Sequence, residues 1–276
     1  MTKLVVEDLA KTYGDPAEGG VEAIRGISFD VREGEFVCIV GPSGGGKTTL
    51  LRCLCALHGR SGGRIELDGR DVTEPPPEIA AVFQDYSRSL MPWFTVRRNV
   101  ELPLKNTVKD AKERAERVEW SLREVGLAGM GDRYPWQLSG GMQQRVAIAR
   151  AVAYRPEILI MDEPFASVDA QTRAGLEDLT LAVRDDVGAA VLLVTHDIDE
   201  AVYLADRVVV LSSRPATVME IVEIDLPRPR DQLDTKALPR FAEYRKHILE
   251  LIRATSGPDP VAGPDPLTPV HGWEPT

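Results

Sequence analysis

Gly41-Pro42-Ser43-Gly44-Gly45-Gly46-Lys47-Thr48 is the stretch that decides how the rest of the chain is read. It follows the apolar run Phe36-Val37-Cys38-Ile39-Val40 and precedes Thr49-Leu50-Leu51-Arg52, so it lies between a buried strand and a helix. Glycines let the backbone turn with its N–H groups inward, and these donors, with the positive end of the helix, suit the oxygens of a di- or triphosphate. Lys47 adds a compact cation for the outer phosphates, and the Thr48 hydroxyl is a hard oxygen ligand for Mg²⁺. The competing reading is a plain Gly-rich turn. Two correctly spaced glycines before Lys and Thr, flanked by strand and helix, argue against it. The chain is therefore read as a nucleotide binder.

Composition bounds the rest. The chain has 276 residues, 43% hydrophobic and 28% charged, enough for one large α/β domain with a real core. A formal charge of -10 argues against a sequence-independent grip on nucleic acid, which needs a basic face to displace counterions. The three cysteines, Cys38, Cys53 and Cys55, fall in or beside expected core elements, which speaks for a reducing compartment and against a disulfide framework. Cys53, Cys55 and His58 make a poor metal set, because residues two apart on a helix point to different faces. The opening Met1-Thr2-Lys3-Leu4-Val5-Val6-Glu7 resembles neither a signal nor a transit peptide. No apolar run approaches the ~20 residues of a membrane span, so work at a membrane would go through a partner.

Along the chain, Leu4 to Leu9 and Ile27 to Val31 read as strands around a Gly-rich excursion, Gly14 to Gly20, with Tyr13 at its edge. The helix after the phosphate loop is expected to reach about Leu57, followed by a strand Arg64 to Leu67 and a buried strand Ile79 to Phe83 that ends on Gln84. From Asp85 to Lys105 the pattern is irregular, and Leu90, Met91, Pro92, Trp93 and Phe94 either pack inward or form an aromatic contact surface. Asp110 to Val125 is helical, with Ala111, Ala115, Val118, Leu122 and Val125 on one face. Ser139 caps a second helix that Pro156 forbids from continuing. Both belong to an inserted helical lobe, about 86–155.

The parallel-sheet pattern resumes with Glu157 to Met161, a helix Ala170 to about Asp186, strand Ala190 to Val194, helix Ile198 to Ala205 and strand Arg207 to Leu211. Thr217 to Leu226 is one more strand, and Phe241, Tyr244, Ile248, Leu251 and Ile252 mark a last amphipathic helix. Residues 1–230 then form one nucleotide domain without internal repeat, 231–255 a helical extension, and 256–276 a Pro- and Gly-rich tail expected to be disordered.

Two further runs carry chemistry. Ile158-Leu159-Ile160-Met161-Asp162-Glu163-Pro164 is an apolar strand ending in two acids; at such an end Asp162 can hold Mg²⁺ through water and Glu163 can orient or deprotonate an attacking water. Leu138-Ser139-Gly140-Gly141-Met142-Gln143-Gln144-Arg145 places a serine and two glycines at a helix start, again offering N–H groups and positive dipole to an anion. Two phosphate-binding helix ends with one ATP to hold suggest that the second serves another molecule's nucleotide.

With these residues in place, the chain resembles the ATP-binding subunits of ABC transporters over roughly residues 3 to 230. The resemblance implies a P-loop NTPase (RecA-like) α/β core with an N-terminal antiparallel β-subdomain and an inserted helical signature subdomain. It implies ATP and Mg²⁺ as ligands, with Gly41, Pro42, Ser43, Gly44, Gly45, Gly46, Lys47, Thr48 and Thr49 around the phosphates, Tyr13 stacked on adenine, and Thr48, Gln84 and Asp162 about the metal. Glu163 would be the base and His196, in Thr195-His196-Asp197, the switch histidine. Leu138, Ser139, Gly140, Gly141, Met142 and Gln143 would form the signature that closes on the opposite subunit's ATP, and Asp169, in Ser167-Val168-Asp169, would be the D-loop acid. Val168 departs from the leucine common there.

The implied partners are a second copy of the chain, head to tail, a membrane permease met through the segment with Trp93 and Phe94, and indirectly an extracytoplasmic solute-binding protein. The implied place is the cytoplasmic face of the cell membrane. Within the family, the runs Val82 to Trp93, Leu211-Ser212-Ser213-Arg214-Pro215 and Ile224 to Arg230 resemble the nitrate/sulfonate/taurine importer group. A non-transport ABC-type ATPase acting on ribosomes or DNA, and a phosphate-loop kinase, are the alternatives. The acidic charge and single domain weigh against the first, and the signature and His196 against the second.

Overall fold

The computed structural model describes residues 1–15, 19–84, 89–166 and 168–255. Residues 16–18 of the Gly-rich excursion, Asp85 to Arg88, Ser167 of the D-loop run and the tail 256–276 lie outside the described residues.

The central sheet has six strands, β3 (Phe36–Val40), β6 (Ile79–Val82), β7 (Ile158–Asp162), β8 (Ala190–Val194), β9 (Arg207–Leu211) and β10 (Val218–Glu223), in the order β10-β9-β3-β8-β7-β6. Only β10 runs antiparallel to its neighbour. Strands β3, β7, β8 and β9 are buried at every position, as a sheet covered on both faces demands. Alternation sorts β3 between two cores: Phe36, Cys38 and Val40 face the helical-lobe side, and Val37 and Ile39 face helix α1 (Lys47–Leu54) and the second sheet.

That second sheet is antiparallel, in the order β2-β1-β4-β5, from β1 (Thr2–Tyr13), β2 (Val21–Arg32), β4 (Gly62–Leu67) and β5 (Arg70–Asp71). The expected antiparallel subdomain is present, with its first two strands longer than the apolar alternation suggests. A bulge explains why: Asp8 has φ 48 and the β1–β2 register shifts between Val6 and Leu9, which breaks the period-two pattern without ending the strand.

The segment read as irregular up to Lys105 contains a helix, α2 (Val96–Glu101), that passes into a 3-10 turn, Leu102–Lys105. Thr95 caps it, and Val96, Val100 and Leu104 supply a buried stripe too short, and too close to Pro103, to register as periodicity. Buried Asn99 fastens the preceding loop: its amide accepts from Met91 N (2.7 Å) and donates to the Met91, Phe94 and Thr95 carbonyls (3.1 Å each). With α2, the two expected helices, α3 (Ala111–Glu124) and α4 (Gly140–Ala153), form the helical lobe. On α3 the core face is Val118 and Leu122, with Val125 just beyond, whereas Ala111 and Ala115 are exposed.

Helices α5 (Ala170–Val187) and α6 (Ile198–Leu204) connect the later strands. Helix α7 (Pro239–Thr255) returns to the main core, burying Phe241 and Ile248 against Val222, Ile224 and Leu226. Other element ends differ from expectation by one to a few residues, the ordinary fraying of strand and helix termini. No helix of the described residues is long and apolar enough to cross a membrane.

Candidate functional site

Parallel strands deliver their carboxyl ends to one edge of the sheet, and four of the five ends here carry a site residue singled out in the sequence. Strand β3 runs into the phosphate loop, β6 into Gln84, β7 into Asp162 and Glu163, and β8 into Thr195 and His196. The strand ends are stitched together by backbone bonds: Glu163 N donates to Val194 O (2.8 Å) and Thr195 N to Ile39 O (3.2 Å).

The phosphate loop is closely fitted. A Cβ on Gly41 would sit 2.8 Å from Leu211 O, and one on Gly45 2.9 Å from Pro42 O and 3.1 Å from Ser212 O. Gly46 has φ 88 and would bring a side chain to 2.9 Å from Ala23 O, so no larger residue fits there. The Lys47 ammonium is buried and donates to Gly41 O (2.8 Å) and Pro42 O (3.0 Å), which tethers it across the loop mouth. Burial pulls its pKa down, opposed by the Glu163 and Asp162 carboxylates.

Asp162 is buried, and burial pushes its pKa up while a hydrogen bond from the Thr48 hydroxyl opposes that and the adjacent Glu163 adds to it. This pair of hard oxygen ligands fits Mg²⁺, and a divalent ion would reverse the unfavourable burial of the carboxylate. Gln84, the third expected metal ligand, donates its Nε2 to Glu163 Oε2 (3.2 Å). His196 Nδ1 stands 3.3 Å from the same oxygen. Glu163 has φ 46, in the left-handed region that costs a non-glycine residue ~1–3 kcal/mol, and that turn carries its side chain off the strand line towards Gln84 and His196.

Loop residues 43–49, Glu163 and Arg214 line a cavity of about 210 Å³. Tyr13 is beside α1, its hydroxyl 3.3 Å from Thr49 Oγ1 and 2.9 Å from His58 Nδ1, with the ring partly exposed. His58 thus has a tyrosine partner, and among the described residues no group of three or more His, Cys, Asp and Glu side chains is placed to hold a metal. All three cysteines are buried and unpaired.

The signature stretch does not line the phosphate cavity. Ser139 caps α4 by accepting from Met142 N (3.4 Å), Gln143 Nε2 donates to Pro135 O (3.1 Å) and Leu138 O (3.2 Å), and Leu138 is buried. Ser139 and Gly140 are exposed. Asp169 caps α5, accepting from Thr172 N (3.0 Å) and Thr172 Oγ1 (2.7 Å), and these bonds lower its pKa. Trp93 is 67% exposed, while Phe94 beside it is half-buried and Leu90 is buried, so the segment both packs inward and presents an aromatic. Arg150 of α4 donates to Ser89 O (2.7 Å) and Ser89 Oγ (2.8 Å), tying that segment to the signature helix.

Sequence reasoning missed the support beneath His196. Thr195 Oγ1 donates to buried Glu200 Oε2 (2.6 Å) and accepts from Asp197 N (3.0 Å), while Arg173 of α5 donates to Asp197 (3.0 Å) and pairs with Glu200 (3.5 Å). The run Thr195-His196-Asp197 was visible, but its link to α5 is not a sequence pattern. Arg214 is a second such residue: its run carries only a family resemblance, and nothing in the sequence places it at the phosphate cavity.

A model of the ABC transporter family matches residues 24–166. An uncharacterized ABC transporter ATP-binding protein, MJ0412 of Methanocaldococcus jannaschii, is 48% identical over 251 residues, 91% of each chain. The nitrate import ATP-binding protein NrtC of Synechococcus elongatus is 41% identical over 91% of this chain, which spans 38% of that protein's length. Among solved structures, a dimeric post-hydrolysis state of the ATP-binding cassette MJ0796 bound to ADP and Pi superposes with a TM-score of 0.70 at 31% identity, over 80% of this chain and 98% of that one.

Proposed function

Because the chain belongs to the ATP-binding proteins of the ABC transporter family, we propose that it powers an importer for a small anion or sulfonate-like solute, by ATP-dependent closure of a head-to-tail dimer on a separate permease. It is an ATP-hydrolysing subunit, and ATP is its substrate. The observation that carries the reading is the meeting of Gln84 and His196 on one oxygen of Glu163, beside the phosphate cavity. The solute class rests on the likeness to a nitrate import protein and on the three local runs. Nitrate, sulfonates, taurine, cyanate, bicarbonate and a pyrimidine precursor are the solutes compatible with it.

In this mechanism the loop N–H groups, Lys47 and Thr49 hold the phosphates, and Tyr13 releases its hydrogen bonds to stack on adenine. Thr48 and Asp162 would hold Mg²⁺, which when bound supplies positive charge to the β- and γ-phosphates. Glu163 takes a proton from the attacking water as the new water-oxygen–phosphorus bond forms and the bond to the β-phosphate oxygen breaks, releasing phosphate and ADP. His196 contacts the γ-phosphate, and Gln84 leaves Glu163 to report nucleotide state to the permease-facing segment.

The second copy contributes Leu138 to Gln143, and its Asp169 communicates across the interface. Binding both halves of the interface better than either alone is what lets ATP favour the closed state. The chain acts at the cytoplasmic face of the membrane, through Trp93 and Phe94 against the permease, with a solute-binding protein outside. Residues 231–255 act as an extension of the 1–230 nucleotide domain.

The test is Glu163→Gln. It retains ATP binding, loses turnover by about 10²- to 10⁴-fold, and sediments as a dimer with ATP; a monomer under saturating ATP would overturn the shared site. Tagged Glu163→Gln recovered from its own membranes in detergent with ATP co-purifies with a multi-span permease. Recovery of ribosomes or DNA in its place would move the protein to the non-transport class.

A further inference from the structure

The cavity at the phosphate loop has two side-chain cations on its wall, and only Lys47 belongs to the loop. The other is Arg214, at the turn between β9 and β10. Arg214 is exposed and makes no hydrogen bond or ion pair among the described residues, in a chain where most arginines are paired with a carboxylate or a carbonyl.

The backbone that carries it is well fixed. Ser212 N donates to Thr217 O (3.0 Å), Thr217 N donates to Ser212 Oγ (2.9 Å), and Ser212 Oγ also reaches Ser213 O (3.0 Å). Ala216 exchanges backbone bonds with β2, its N donating to Ala23 O (3.0 Å) and its O accepting from Arg25 N (2.9 Å). The end of β9 and the start of the turn lie against the phosphate loop, Leu211 at Gly41 and Ser212 at Gly45. Such contacts set the distance from the loop while leaving the guanidinium free. A free cation on a fixed mount, facing an anion cradle, costs little ordering when the anion arrives.

Charge points the same way. A triphosphate brings strong negative charge to a wall that already holds Glu163, with buried Asp162 behind it, against the Lys47 ammonium, itself tethered to two carbonyls. We propose that Arg214 is a nucleotide-contacting residue, donating guanidinium N–H groups to oxygens of the bound phosphate chain as a second side-chain cation beside Lys47. This rests on the reading of residues 41–49 as the nucleotide site, and the test separates the two.

Dissociation constants of the full-length chain for ATP and ADP are measured by calorimetry without turnover, in the Glu163→Gln background, for Arg214→Gln, Arg214→Lys and Lys47→Ala. Arg214→Gln weakens ATP by roughly tenfold, as loss of a charge-assisted hydrogen bond does, and Arg214→Lys recovers most of it. A loss for ATP alone assigns the contact to the γ-phosphate, and an equal loss for ADP to the inner phosphates. Raising salt from 50 to 500 mM narrows the gap between parent and Arg214→Gln, since the contact is partly exposed. If Lys47→Ala weakens binding and Arg214→Gln does not, the proposal fails and the phosphate-loop reading stands. If neither changes affinity, the nucleotide site itself has been misassigned. Equal losses in Arg214→Lys and Arg214→Gln would also overturn it, because a turn-packing role, unlike a charge, is not restored by lysine.

Discussion

Two glycine-bearing turns open helices in this chain, the phosphate loop before α1 and the signature turn before α4, and they are built differently. The first is enclosed by its own subunit: Gly41, Gly45 and Gly46 lie against backbone oxygens of the loop itself, β2 and the β9 end, and the Lys47 ammonium bridges two loop carbonyls. The second is open. Ser139 and Gly140 are exposed, and the nearest neighbour of a Cβ on Gly141 is a side-chain methyl, Thr172 Cγ2, at 2.6 Å. A turn walled by backbone is shaped for a ligand before the ligand comes. A turn walled on one side, with Ser139 and Gly140 exposed, is half of something. The difference gives physical content to the dimer proposal, in which the monomer holds one finished anion site and one unfinished one.

The sharpest way to break the comparison is Lys47→Ala, which removes the cation from the finished site. Nucleotide affinity of the monomer falls roughly 10- to 100-fold by the usual worth of hydrogen bonds to charged groups, read by calorimetry; unchanged affinity would remove the loop from the site. Next comes a matched pair. Gly45→Ala forces Cβ against two backbone carbonyls and weakens monomer binding by roughly tenfold, whereas Gly141→Ala meets a threonine that can rotate and leaves monomer binding as it was. Equal losses in the two variants would mean that both turns serve the same nucleotide within one subunit.

Ser139→Ala removes the cap on α4 and costs about 1 kcal/mol of local stability. It lowers turnover of the dimer while leaving monomer affinity intact, and a loss of monomer affinity would contradict the half-site description.

The smallest effect concerns the buried backing of the finished site. Burial raises Glu200 to about 7 from an ordinary 4.5. The folded state therefore binds the proton more tightly than the unfolded one, so the Glu200 contribution is fully present below pH 4.5 and is lost as pH rises through about 7. Glu200→Gln removes that dependence, and the gap in melting temperature between variant and parent should widen in favour of the variant from pH 4.5 to 7, then level off. A gap independent of pH would show that Glu200 does not titrate there.

Much of the candidate site was legible locally. Glycine spacing, Lys47 and Thr48 announce an anion cradle, and the paired acids stand out because they close a run of four apolar residues, Ile158 to Met161. The helix α2 was hidden by its brevity, and the length of β1 by its bulge. Trp93 and Phe94 could not be separated by sequence, because adjacent aromatics in a loop carry no period that says which one faces inward.

By itself the sequence determined the elements that make their own case: the strand–loop–helix around Gly41 to Thr48, the capped start at Ser139, and the fully apolar runs that demand a covered parallel sheet. Only the tertiary structure decided which strand ends are neighbours. Strands β3, β7, β8 and β9 are alike in being apolar on both faces, so nothing in any of them encodes the order β9-β3-β8-β7. That order, set by how the helices cover the sheet, is what brings Gln84, Glu163 and His196 to one point and hangs Arg214 beside the loop.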